Sequence, residues 1–190
     1  LRRKNFTPPT SGNIDMTSMT ADEAQLTIRA AVAAGFTDLK LTGELSKTGI
    51  GGNWGTFINN KKITKCDLTG VTDWGTTPTL PELAFANCTA LQEVTLPDDM
   101  KVIGTGAFSG CAALTTVNLS QVTWINLNAF WGCTSLETLA LDNVTAIGQE
   151  AFYGWPRNAQ NTEVYSVRQL YRNGLQSSHP DRSHRSRRFR

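Results

Sequence analysis

The chain predicts a β-rich solenoid, a coil whose stacked turns form a parallel sheet of about five short strands behind an N-terminal capping helix. Three observations carry this expectation. A phenylalanine recurs at a nearly fixed interval, a six-residue apolar pattern runs in register with it, and a cysteine follows three residues after the ring. Self-similarity at a period of 20–50 residues is the mark of an architecture in which each unit buries its apolar face against its neighbours.

The interval is read from Phe85, Phe108, Phe130 and Phe152, which stand 23, 22 and 22 residues apart. Cys88, Cys111 and Cys133 keep the same steps, and Trp155 takes that place in the fourth copy. The six-residue pattern is LQEVTL (91–96), LTTVNL (114–119) and LETLAL (136–141), with looser copies FTDLKL (36–41) and ITKCDL (63–68). Its apolar residues at positions 1, 4 and 6 suit a short strand with one buried face. The second half of each turn reads VIGTGAF, WINLNAF or AIGQEAF, which predicts an irregular, glycine-bearing return with Ile103, Ile125 and Ile147 pointing inward. Phenyl rings of adjacent turns are then expected to stack, each burying on the order of 150 Å² or more.

The unit L-x-x-V-x-L-P … I-G-x-x-A-F-x-x-C resembles the BspA-like leucine-rich repeat of bacterial surface and secreted proteins. It is clearest from Leu83 to Trp155 and extends back to about Ala21. The resemblance implies a leucine-rich-repeat solenoid with an α/β horseshoe-like superhelix. It also implies a cell-surface or extracellular location, and adhesion or binding to a protein partner such as a host matrix or surface protein. No catalytic residue, cofactor or metal comes with it.

The flanking segments divide the chain into a linker (1–20), a repeat domain with its cap helix (21–155) and a basic tail (156–190). In MTADEAQLTIRAAVAAG (19–35), Thr20 is a candidate N-cap with Glu23 three residues on, and Gly35 is a stop. TGELSKTGIGGNWGTFINNKK (42–62) reads as an oversized loop, rich in turn glycines. TEVYSV (162–167) is a candidate edge strand, and the Arg/Ser/His-rich end reads as disordered and foreign to the repeat. The opening LRRKNF has basic residues but no apolar stretch after them, so a secretion signal is expected to be absent or already removed.

Composition narrows the function classes. The net charge of +2 conceals a basic tail, with eight Arg and two acids in residues 157–190. Residues 5–156 hold seven basic and fourteen acidic side chains, a balance that repels a phosphate backbone and argues against nucleic-acid binding. His179 and His184 both lie in the tail, so a zinc site in the repeats would need clustered thiolates, and 22- to 23-residue spacing is unlike zinc-ligand loops. The cysteines therefore read as buried free thiols. GIGGNWG lacks the lysine of a P-loop, and GTGAFSG does not open a helix after a strand. The acids Glu93, Asp98, Asp99, Glu137 and Asp142 are too scattered to suggest a catalytic pair. Four N-x-[ST] sequons, at Asn5, Asn87, Asn118 and Asn143, read as structural.

Two surfaces are candidate contact sites. Outward strand positions begin as a charge ladder (Asp38, Lys65 and Glu93, with Lys40 beside Asp67) and give way to short polar side chains. Thr95, Thr115, Thr116, Asn118 and Thr138 form that second part, which is inexpensive to desolvate and is the expected protein-binding face. The other candidate is an aromatic edge of Trp74, Trp124, Trp131 and Tyr153, which suits a glycan-binding module.

Overall fold

The computed structural model describes residues 8–52, 55–136 and 138–155. The tail from 156, with its candidate strand at 162–167, and the basic residues before 8 lie outside the described residues. In chain order the elements are β1 (Asn13–Asp15), α1 (Ala21–Ala33), β2 (Asp38–Glu44), α2 (Leu45–Thr48), β3 (Lys65–Thr72), β4 (Thr79–Leu80), β5 (Glu93–Thr95), β6 (Val102–Ile103), β7 (Thr116–Val117), β8 (Trp124–Ile125) and β9 (Ala146–Ile147). They form a five-stranded sheet, β1-β2-β3-β5-β7, and a four-stranded sheet, β4-β6-β8-β9. Every pairing in both is parallel.

The five-strand expectation holds in number, but one strand comes from elsewhere. The segment read as a linker supplies β1, which pairs Ile14 with Leu41 and buries Ile14 and Met16. Residues 136–141, expected as the fifth strand, pair with nothing among the described residues, although Leu136, Leu139 and Leu141 are buried. The preceding turn has a brace that this one lacks. There Asn118 accepts from the Leu96 N–H at 2.7 Å and donates to the Leu96 carbonyl at 2.9 Å, bracing one strand against the other. Ala140 holds the equivalent place and has no amide to reach back with. The returns are also more regular than expected. Each carries a two-residue strand, and Ile103 pairs with Ile125 and Ile125 with Ile147 in the second sheet.

Helix α1 forms where the capping box places it. Thr20 accepts from the Glu23 N–H and Glu23 reaches back to the Thr20 N–H, which satisfies donors the helix itself cannot. Gly35 follows the helix at φ 98°. Ala24, Ile28, Ala31 and Val32 enter the core, while Leu26 faces out. The long loop after β2 holds α2 and, less expectedly, Phe57, which is fully buried at the head of the ring column.

That column is the centre of the molecule. Phe57, Phe85, Phe108, Phe130 and Phe152 stack in sequence with centroids 5.3, 5.6, 5.1 and 5.4 Å apart. Trp155 continues it over Phe152 at 5.0 Å, so it extends the stack instead of replacing the cysteine's role. From Phe85 on, the residues two before and two after each ring are left-handed: Leu83 and Asn87, Gly106 and Gly110, Asn128 and Gly132, Glu150 and Gly154. The glycines and asparagines of the motif follow from this, since few other residues adopt that conformation without strain. The cysteines satisfy backbone between turns. Cys88, Cys111 and Cys133 donate S–H to the carbonyls of Phe57, Phe85 and Phe108 at 2.9, 3.0 and 3.1 Å. The carbonyls of Phe57, Phe85 and Phe108 are thus each met by the thiol of the following turn. All four cysteines are free and buried, and burial pushes the Cys88 and Cys133 thiols up to about 12 and raises Cys66 and Cys111 as well.

Three outcomes follow from this packing. Phe108→Ala should destabilise by about 3–5 kcal/mol, because it opens a ring-sized hole between two stacked neighbours. Phe85→Ala and Phe130→Ala should match it, and an unchanged denaturation midpoint would remove the ring from the core. The thiols should alkylate slowly in native protein and completely after unfolding, as read by mass spectrometry. Their raised pKa values stabilise the fold below the ordinary thiol value of 9.0. That contribution is lost as pH rises through and above it, because the unfolded chain then ionises first. Glu150, exposed at φ 54°, holds a conformation that costs a non-glycine residue about 1–2 kcal/mol. Glu150→Gly should therefore raise stability by up to about 1 kcal/mol once glycine's own flexibility is offset, and a lower melting temperature would count against that strain.

Candidate functional site

The outward face of the five-stranded sheet is set by strand alternation, which puts Val94 in the core and Glu93 and Thr95 outside. Strand register builds two rows across it. One runs Asp38, Lys65, Glu93, Thr116, and the other runs Asn13, Lys40, Asp67, Thr95. The charged end is the ladder expected from the sequence, with Lys65 Nζ 3.2 Å from Glu93 and Lys40 Nζ 3.1 Å from Asp67. These residues line a shallow cleft of about 250 Å³. Its carboxylates are already engaged. Asp38 accepts from the Thr64 hydroxyl at 2.7 Å. Asp67 is partly desolvated, which would raise its pKa, but the Thr69 hydroxyl and N–H together with Lys40 hold it below the usual carboxylate value.

The polar end of the same face is less free than its sequence suggests. Thr116 lies exposed in β7 and Thr95 half-buried in β5. Thr115 donates its hydroxyl to the Gln92 carbonyl at 3.0 Å, and the Asn118 amide is spent on Leu96. Thr138 is exposed but belongs to no strand, so it does not extend the row formed by the others. A substitution at Asn118 would therefore cost stability as well as contact.

The aromatic candidates separate into one buried ring and three exposed ones. Trp74 is only 8% exposed and donates its indole N–H to the Val71 carbonyl at 2.7 Å, so it belongs to the core and not to the edge. Trp124, Trp131 and Tyr153 are 51%, 41% and 60% exposed. Trp124 points outward from β8, with Val102 and Ala146 as its lateral neighbours. Trp131 follows the buried Phe130 and Tyr153 the partly buried Phe152, so the stacking of the rings beneath sets their spacing. They stack on each other at 6.0 Å with planes 7° apart. Leu127, 43% exposed, joins Trp124 and Trp131 within a single turn. Sequence reasoning missed it, because a lone leucine in a return looks like any inward aliphatic residue. The positions after Phe57, Phe85 and Phe108 are Ile58 (half-buried), Ala86 and Ser109, so large exposed rings at this position occur only in the later turns among the described residues.

The remaining motifs are absorbed by the fold. Asn87, Asn118 and Asn143 each donate their amide to an earlier turn, to Asn59, Leu96 and Ser120 respectively, which gives three sequons a structural purpose. Asn5 lies outside the described residues. Among the described residues no cluster of His, Cys, Asp and Glu could hold a metal ion, and no helix is long and apolar enough to cross a membrane.

Two solved structures and one family model are similar to this chain. The chain is 32% identical to a leucine-rich repeat protein from Bacteroides ovatus, over 54% of this chain and 26% of that one, with a TM-score of 0.41. It is 30% identical to a leucine rich cell surface protein from Faecalibacterium prausnitzii, over 60% of this chain and 35% of that one, with a TM-score of 0.40. The chain thus spans about a quarter to a third of the length of these two proteins. No curated protein gives a match. The model of the BspA type leucine rich repeat region matches in six copies over residues 56–178, starting beside Phe57 and running past the last regular phenylalanine at 152. Matched across more than half its length, the chain belongs to the BspA type leucine-rich-repeat family.

Proposed function

We propose that the chain is a non-enzymatic protein-binding module of a bacterial cell-surface or secreted protein, working in adhesion, with its contact on the aromatic edge. In this reading the stacked turns form a curved solenoid and α1 closes its N-terminal end. The observation that carries the choice of surface is the exposure of Trp124, Leu127, Trp131 and Tyr153 over two successive turns. Rigid aromatic anchors supply large contact area at low entropic cost and dominate protein interfaces. The strand face, by contrast, spends Thr115, Asn118 and its charged rows on its own backbone and ion pairs. The surface location draws its support from the family and from the cell-surface description of the Faecalibacterium protein.

A glycan-binding module is the second reading. A sugar needs an open ring face, and the stacking of Trp131 on Tyr153 covers one face of each. The discriminating experiment sets the full chain against arrays of purified matrix and cell-surface proteins and a glycan array side by side. Protein hits should weaken about tenfold or more in Trp131→Ala with Tyr153→Ala, the range of a modest interface anchor, while Thr116→Arg leaves them unchanged. Loss in Thr116→Arg alone would move the contact to the strand face. Glycan hits without protein hits would replace this reading with the second one.

A further inference from the structure

Resting on the aromatic edge as the contact surface, we infer that the partner segment seated there is cationic, presenting arginine or lysine to Trp131 and Tyr153. The charge distribution around the edge carries the inference. Residues 102–155, which build the two turns bearing Trp124, Leu127, Trp131 and Tyr153, contain Glu137, Asp142 and Glu150 but no Lys, Arg or His. Asp142 and Glu150 are exposed and form no ion pair among the described residues. Glu150 opens the tight turn that closes on Tyr153, whose N–H donates to the Glu150 carbonyl at 3.0 Å. Lys40 and Lys65 are committed to Asp67 and Glu93 in earlier turns, and Lys101, whose carbonyl accepts from the Trp124 N–H, flanks the Trp124 end of the edge and not the stretch that carries Trp131 and Tyr153.

Two nearly parallel rings, more than a third exposed, thus stand in a stretch, residues 102–155, whose charged side chains are all acidic. The ring faces attract a guanidinium or ammonium electrostatically, tryptophan most strongly, and the free carboxylates add to that attraction. An acidic segment would meet only repulsion there. The cleft on the strand face is the weaker candidate for a ligand, because both its lysines are paired with acids and its third acid, Asp38, accepts from Thr64.

The test titrates the full chain with fluorescein-labelled synthetic (Gly-Arg)6, (Gly-Ser)6 and (Gly-Glu)6 peptides and reads anisotropy at low and moderate salt. Binding of the arginine peptide alone is expected. It should fall about tenfold in Trp131→Ala with Tyr153→Ala, fall less in Glu150→Gln, and weaken as salt rises. Native far-ultraviolet circular dichroism of each variant separates loss of contact from loss of fold. Equal binding of all three peptides, or arginine-peptide binding indifferent to both aromatic substitutions, overturns the inference. Preference for the glutamate peptide, abolished by the same substitutions, also overturns it while leaving the edge as a protein contact. A full-length variant with the eight arginines of residues 157–190 changed to glutamine gives the last arm. Probe binding that appears only in that variant would make the chain's own tail the occupant and overturn the assignment to a partner.

Discussion

A single turn of this chain has one apolar side and nothing of its own to set against it, so the structure depends on contact between successive turns. The phenylalanine column is the strongest expression of that constraint. Five rings stand 5.1–5.6 Å apart, close enough that each is both a buried side chain and part of the wall that buries its neighbours. Stability is then approximately a sum of intrinsic turn terms and nearest-neighbour terms, and a hole in the middle is felt on both sides. The two sheets on either side of the column keep its spacing even, because parallel strands hold the turns at a fixed separation.

The polar atoms of each turn are arranged around the same constraint. Bringing a chain back on itself within some 22 residues requires sharp bends, and the bends place left-handed residues on both sides of each ring from Phe85 to Phe152. Those bends leave carbonyls buried between turns, where an unmet acceptor is costly. The thiols of Cys88, Cys111 and Cys133 meet them from the following turn. A cysteine suits the task because it is small, apolar enough for the core and still a weak donor. The fourth copy puts Trp155 there, which adds a ring to the column and leaves its buried indole N–H without a partner among the described residues.

The outer surface is then free to vary from turn to turn, and it does so unevenly. The earlier turns carry ion pairs along the strands, and the later ones carry exposed rings and acids with no ion pair among the described residues. Because the core repeats, any residue placed directly after a buried phenylalanine falls in line with its counterparts one turn away. Trp131 and Tyr153 stack for that reason, and a pair of unrelated substitutions at equivalent positions becomes a single surface feature.

The sequence by itself determined the period, the inward residues, the α1 capping box, the free thiols and the charge ladder, since each depends on local spacing or on neighbours exactly one repeat away. Phe85 to Phe152 announce the column, and Asp38, Lys65 and Glu93 announce the ladder, before any fold is known. Where the repeat unit is broken, that reading loses its reference. Phe57 is hidden in a glycine-rich insertion, β1 in a segment without repeat signature, and residues 138–141, in no strand among the described residues, in a motif that looks intact. Only tertiary structure decided which polar and aromatic side chains were already spent. Asn118 and Trp74 look as available in the sequence as Thr116 and Trp124, but both are bonded to backbone carbonyls. Whether a side chain meets solvent or another part of the chain is set by what the fold brings opposite it, and residue type and spacing do not encode that.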